Sequence, residues 1–324
     1  MVDSTPTPLR SPVFIAGRQH SGNTMLAAAL GRLPGVLACL EEGNYFEERA
    51  GIAALDGAER ARAVVRRIKL NGALLSSDSE RSLLRELTPF AERGASPDDL
   101  FVQGIARVLS NEGKTRWVQK ATSYVFQADR VFDLFPDARV VFLARNPLDI
   151  AASLTRRGHA EDAVRMAWGW RVGVAHALDL QEEHPSRFRV FRYEDVVQNP
   201  GSALSEVCRF ANLAFDPIAT DVAHVNRSEA KYALSSDERG MTASRVSYYT
   251  DVLSLAEQEA VRWVAGPALG RLYPNLAAST SWGARLTSGG VVLRGAARLA
   301  FGQIRQLLSD PGQTARRVAR RLGT

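Results

Sequence analysis

Two cysteines in 324 residues are too few for a disulfide framework, and Cys39 and Cys208 lie far apart inside the apolar runs "GVLACL" and "SEVCRF". They read as separate buried thiols in a reducing compartment, not as a pair or a metal site. Long hydrophobic runs are missing too: nothing approaches the roughly 18 apolar residues of a membrane span. The opening "MVDSTPTPLRSP" carries an acid and prolines where a signal peptide needs a basic flank and an apolar core. A cytoplasmic setting is therefore expected. Repeats and low-complexity tracts are absent, and 45% hydrophobic with 23% charged residues is the composition of a folded globular chain.

Net positive charge is confined to one region. Residues 281–324 hold eight arginines and one acid against a whole-chain net charge of +6, so the rest is close to neutral. No nucleic-acid partner is expected. The basic segment reads as two helical pieces, about Gly290–Leu308 and Gln313–Leu322, broken by Ser309-Asp310-Pro311-Gly312. Val292, Leu293, Ala296, Leu299, Ala300, Ile304 and Leu307 form its apolar stripe. Such a helix suits peripheral contact with an anionic membrane or an acidic partner, or docks on the main domain as a surface helix. Both readings stay open, as does the oligomeric state.

What is present has the rhythm of an α/β protein. Short apolar runs at Pro12–Gly17, Val36–Leu40, Trp117–Gln119, Ala138–Ala144 and Phe188–Tyr193 alternate with helical segments, which predicts a parallel sheet flanked by helices. Helix starts are marked at Ser96-Pro97, Asn146-Pro147, Asn199-Pro200 and the capping box Ser254–Glu257, and Gly158 closes the helix begun at Pro147. Residues 45–114 show no strand and are expected to form a helical insertion capping the sheet's carboxyl edge. This gives one domain over 1–280 and a basic helical tail over 281–324. Trp168 and Trp170, in one helical run, both read as core residues in preference to an adenine platform.

The loop "GRQHSGNT" after the first strand has the frame of a P-loop, G-x-x-x-x-G-K-[ST], with Asn23 in the lysine's place. Gly17 and Gly22 allow close backbone approach, and Ser21, Asn23 and Thr24 bring amides and small polar groups to a helix start. That arrangement attracts an anion. In "VVFLARNPLDIAAS", Arg145 follows the strongest strand and Ser153 lies on the next helix, so a guanidinium and a hydroxyl can hold a second phosphate at the same sheet edge. An arginine paired with Asp149 is the structural alternative. Where a nucleoside triphosphatase would place a magnesium-binding acid, this strand ends in arginine.

Together these residues resemble the sulfotransferases that use 3′-phosphoadenosine 5′-phosphosulfate (PAPS). "GRQHSGNTML" is similar to their 5′-phosphosulfate loop and "RNPLDIAAS" to their 3′-phosphate motif. "LPGVLACLEEGNYF", "VQKATSYVFQADRVFDLFPDARVVFLARNP" and "RVFRYEDVVQNPGSALSEVCRFANLAF" follow in the family's order, across about Pro12 to Pro274. The resemblance implies a sulfotransferase fold and transfer of a sulfuryl group from PAPS to a hydroxyl, less readily an amine, of a glycan, glycolipid or small-molecule acceptor, without a metal.

By position, Arg18, Gln19, His20, Ser21, Gly22, Asn23 and Thr24 would hold the 5′-phosphosulfate, and Arg145 and Ser153 the 3′-phosphate. Arg245, in a late loop, and Tyr193 would assist. Glu42 would be the base, with Glu41 as its neighbour and competitor. His20 departs from the family's arginine or lysine, so either it or Lys120, in a K-[TA]-[PT]-like motif, would meet the departing oxygen. Two competing readings are a metal-dependent nucleotide kinase or triphosphatase and a non-catalytic, membrane-associated nucleotide-binding protein.

Overall fold

The computed structural model describes residues 9, 11–74, 76–222, 240–277, 287–293, 295 and 297. In chain order these form β1 (Val13–Ala16), α1 (Asn23–Gly31), β2 (Val36–Cys39), α2 (Tyr45–Ala53), α3 (Gly57–Leu70), α4 (Ser77–Glu92), α5 (Pro97–Asn111) and β3 (Arg116–Lys120). A 3₁₀ turn (Thr122–Gln127) leads to α6 (Ala128–Leu134), β4 (Arg139–Ala144), α7 (Pro147–Arg156), α8 (Ala163–Glu183), β5 (Phe188–Arg192), α9 (Tyr193–Gln198) and α10 (Pro200–Phe210). Further 3₁₀ turns lie at Ala160–Asp162, Pro217–Thr220 and Tyr248–Asp251, the last preceding α11 (Leu255–Leu272) and α12 (Pro274–Ala277). The chain divides into two compact units, one from Met1–Ala144 and His176–Ala243, the other from Arg145–Ala175 and Ser244–Thr324.

The first unit holds a five-stranded sheet in the order β2-β3-β1-β4-β5 with every pairing parallel. Each residue of β1 is buried, as a central strand covered on both faces requires. Its register sets Val13 opposite Val118 of β3 and Phe14 opposite Val140 of β4. From β1 the chain goes to β2 and β3 on one side, then returns to β4 on the other. The carboxyl end of β1 is therefore the switch point at which open α/β sheets bind ligands. Beneath it Phe14 is ringed by Trp117, Tyr124 and Phe135 at 5.3, 5.6 and 5.9 Å.

Four helices, α2 to α5, occupy the stretch between β2 and β3, and no strand lies there among the described residues. They do more than cap one edge. Phe101 of α5 packs edge-on against Trp117, on the sheet's face, while the end of α3 reaches the carboxyl edge, where Asn71 O accepts the Glu41 N–H at 3.2 Å. α5 begins with a capping box between Ser96 and Asp99. Tyr193 opens α9 instead of ending β5. Cys39 and Cys208 are buried free thiols.

In the second unit Asn146 caps α7, its Oδ1 accepting the Leu148 N–H at 2.9 Å, with Pro147 at the first position. Gly158 ends that helix at φ 80°, where the His159 N–H returns to Leu154 O at 2.9 Å. α11 starts from the Ser254–Glu257 capping box and is kinked at Gly266, just before Pro267.

The two tryptophans of α8 part company. Trp170 is 1% exposed and its Nε1–H donates to Arg145 O at 2.8 Å, but Trp168 is 54% exposed and carries the Arg171 guanidinium on its ring. Two residues advance a helix by roughly 200°, so the pair faces opposite ways and only Trp170 is core.

Residues 287–293 are helical. Leu293 of the expected stripe is exposed, whereas a Cβ on Gly295 would meet Val164 at 2.6 Å, so the helix packs by its small residue. The remaining stripe positions from Ala296 to Leu307, and the piece Gln313–Leu322, lie outside the described residues. Among those described, no helix is long and apolar enough to cross a membrane.

Candidate active site

The loop from Gly17 to Gly22 is shaped by backbone needs. Gly17 sits at φ 143°, and a Cβ there would lie 2.4 Å from Leu143 O of β4. Gly22, at φ 90°, caps α1 and rests on the Tyr193 ring, which a Cβ would meet at 2.8 Å. Only glycine fits either place. His20 also has a positive φ, 68°, and Ser21 N–H returns to Arg18 O at 3.1 Å.

Asn23, in the lysine's position, serves the loop itself, since its Nδ2 donates to Arg18 O at 3.0 Å and closes the turn. Ser21 is fully buried, and its Oγ has no hydrogen-bond partner among the described residues. A buried hydroxyl left so costs about 1–3 kcal/mol, a cost an anion seated at the start of α1 would relieve. The first turn of α1 has no acid to compete for that place. Thr24 is half-buried beside it, Arg18 is half-buried and Gln19 exposed.

Past β2, Glu42 is held from the neighbouring strand. Lys120 Nζ lies 3.2 Å from Glu42 Oε1, and Thr122 Oγ1 lies 2.8 Å from each carboxylate oxygen. Glu41 differs from it: the side chain is exposed, and its carbonyl accepts Gln119 Nε2 at 2.7 Å. Gln119 also donates to Lys120 O at 2.7 Å, tying the turn that carries Glu42 to the strand end that carries Lys120.

In the second unit, Arg145 and Ser153 are 7% and 8% exposed. Arg145 Nη2 donates to Arg245 O at 2.9 Å, and the guanidiniums of Arg145, Arg156 and Arg245 stand 5.9, 5.4 and 5.6 Å from the Tyr248 ring. Burial pushes the Tyr248 phenol up, while Arg145 and a hydrogen bond with Ser153 pull it down. Its hydroxyl donates to Asp149 O at 2.9 Å. The fully buried Asp149 carboxylate accepts the N–H groups of Ser247 at 2.9 Å and Tyr249 at 3.1 Å. It thereby folds the Arg245 loop onto α7.

Sequence reasoning missed Thr122, Gln119, Tyr248 and Arg156, and saw Asp149 only as a partner for Arg145. An acid three residues into a helix that starts Asn-Pro was the available signal for Asp149. Nothing local marks Thr122.

A sulfotransferase domain from the curacin biosynthetic pathway superposes with a TM-score of 0.50 at 18% identity, over 76% of this chain and 93% of that one. The sulfotransferase domain of the Synechococcus PCC 7002 olefin synthase gives 0.46 at 18% identity, over 90% and 97%. Sulfotransferase STF9 from Mycobacterium avium gives 0.45 at 14%, over 82% and 78%. At 18% identity the first of these likenesses concerns the fold alone. No curated protein sequence matches. The sequence profile of the Sulfotransferase family matches residues 12–217, which include the Gly17 loop, Glu42, Lys120, Arg145 and Ser153, and the chain belongs to that family.

Proposed function

We propose that the protein is a PAPS-dependent sulfotransferase that sulfates a hydroxyl of a glycan, glycolipid or small-molecule acceptor. PAPS supplies an activated sulfuryl group, and adenosine 3′,5′-bisphosphate (PAP) is the product. The observation that carries the reading is the buried Ser21 hydroxyl, without a hydrogen-bond partner among the described residues, within a glycine-shaped loop that lacks both the triphosphatase lysine and a competing acid. Ser21, Gly22, Asn23 and Thr24 bind the 5′-phosphosulfate through N–H and O–H donors, with Arg18, Gln19 and His20 lining the loop and Tyr193 beneath it. Arg145, Ser153 and Arg245 take the 3′-phosphate.

Glu42, oriented by Thr122, takes the acceptor's proton as its oxygen attacks sulfur. Once neutral, Glu42 no longer holds Lys120, whose ammonium is then free for the phosphate oxygen that departs, with His20 as a second donor. No metal is required, because the donor's outer group is a sulfate that bears a single negative charge. The working setting is the cytoplasm, with the arginine-rich segment 281–324 able to meet an anionic surface.

Calorimetry with PAP and single-turnover transfer from labelled PAPS into a cell extract test this. PAP should bind below millimolar concentration, and Glu42→Gln should bind it equally while losing at least 100-fold in transfer. Wild-type protein that ignores PAP, or that turns over magnesium-ATP, overturns the proposal.

A further inference from the structure

The 3₁₀ turn after β3 presents three consecutive polar side chains to the segment that carries Glu42. Thr122 grips Glu42. Ser123 Oγ donates to Glu47 Oε1 at 2.5 Å. The N–H groups of Tyr45 and Phe46, at the start of α2, are directed at the Tyr124 phenol oxygen. One turn thus clamps the Glu42 loop and the first turn of α2 together.

Glu47 is the unexplained member of this clamp. It sits on α2 five residues after the proposed base, and Oε2 is buried with no hydrogen-bond partner among the described residues. A buried carboxylate oxygen with no donor is among the costliest groups a protein can hold, whereas a carboxylic acid there costs far less. The surroundings add to this. Burial pushes the Glu47 carboxyl up, outweighing the Ser123 hydrogen bond and one from its own backbone, and the negative charges of Glu42 and Glu48 push it further. Lys120 offers no relief, since its Nζ is paired with Glu42.

We propose that Glu47 is a neutral positioning residue, a protonated carboxyl that locks Ser123 and so holds Thr122 and the proposed base Glu42 in register. Two acids close in sequence thereby take different parts: Glu42, in contact with Lys120 and Thr122, removes the proton, and Glu47 is uncharged and serves as structure. A second negative charge at 47 would repel the Glu42 carboxylate and the anionic donor. The inference rests on Glu42 being the base.

Two readouts separate its failure from failure of that reading. The first needs no activity: infrared spectra recorded as the pH is raised should show a protonated-carboxyl C=O band in the wild type that outlasts those of ordinary glutamates and is missing in Glu47→Gln. The second is transfer from labelled PAPS. Glu47→Gln, which keeps the acceptor oxygen for Ser123 and has no charge, should retain kcat within about threefold, while Glu42→Gln loses at least 100-fold. Glu47→Ala and Ser123→Ala, which cut the clamp from either side, should each lose about tenfold or more in kcat with PAP affinity unchanged. An unchanged infrared spectrum in Glu47→Gln, or a loss there as large as in Glu42→Gln, overturns the proposal. If the wild type transfers no sulfate, the proposed function falls and the infrared band alone decides the state of Glu47.

Discussion

The loop at Gly17 offers a severe test, because a single methyl group there has nowhere to go. In Gly17→Ala the Cβ would stand 2.4 Å from Leu143 O and 2.7 Å from Asn23 Oδ1. Leu143 belongs to β4, which is hydrogen-bonded on both sides, to β1 and β5, and cannot retreat. Holding a non-glycine residue at φ 143° costs about 1–3 kcal/mol, and forcing a methyl into a filled space about 1–3 kcal/mol more. The expected loss is about 2–6 kcal/mol of a total stability on the order of 5–15 kcal/mol. The side chain that must move is Asn23, so its bond to Arg18 O goes as well, and PAP affinity should fall together with stability. Urea unfolding followed by circular dichroism measures the first effect and calorimetry the second. Gly51→Ala is the matched control: it lies in α2 with nothing within 4 Å, and should gain about 0.5–1 kcal/mol. If the two variants unfold at the same urea concentration, the steric account of the loop is wrong.

The structure supports three more expectations. Asp149→Asn keeps the shape but weakens two backbone hydrogen bonds to Ser247 and Tyr249, so it should lose about 1–3 kcal/mol and become cleavable by protease near Arg245, which limited proteolysis would show. Burial pushes the thiol of Cys39 up to about 12 and that of Cys208 up to about 11. Both should react with a thiol reagent at neutral pH only after denaturant is added, and fast labelling of the native protein would contradict their burial. Because the Glu47 pKa is raised, the native state binds that proton more tightly than the unfolded chain. Wild-type stability should then fall as pH rises from the ordinary glutamate value of about 4.3 through the raised one. Glu47→Gln lacks that slope, and its stability relative to wild type should climb with pH over this window. Parallel curves would exclude the shift.

Much of this arrangement could be read along the chain, and the reasons are local. Every strand but β2 is a short run closed by glycine, lysine or arginine, and the helices at Ser96, Asn146 and Ser254 carry their caps in the sequence. The loop at Gly17 was legible because its backbone geometry demands glycine, and Arg145 and Ser153 stand out as polar side chains that the fold buries. What escaped notice depends on partners distant in sequence. Trp168 and Trp170 differ only in which way their helix is turned. Asn23, expected among the groups that hold the phosphosulfate, has a side chain that holds a carbonyl of its own loop. Thr122 and Ser123 lie in a 3₁₀ turn that looks like ordinary loop, and only folding brings them to acids 80 and 76 residues earlier.

The strand order also has a consequence for how the protein is made. β1 pairs with β3 and β4 and with no strand nearer in sequence. The surface on which Gly17 rests is a carbonyl of Leu143. At about 5–20 residues per second of synthesis, the amino-terminal segment leaves the ribosome on the order of ten seconds before β4 follows it. Throughout that interval the apolar β1 has neither neighbour, and the glycine loop has nothing to shape it. A chaperone that shelters Val13–Ala16 should therefore bind the nascent chain early and let go only once Ala144 has emerged, which ribosome profiling of chaperone-bound chains would reveal.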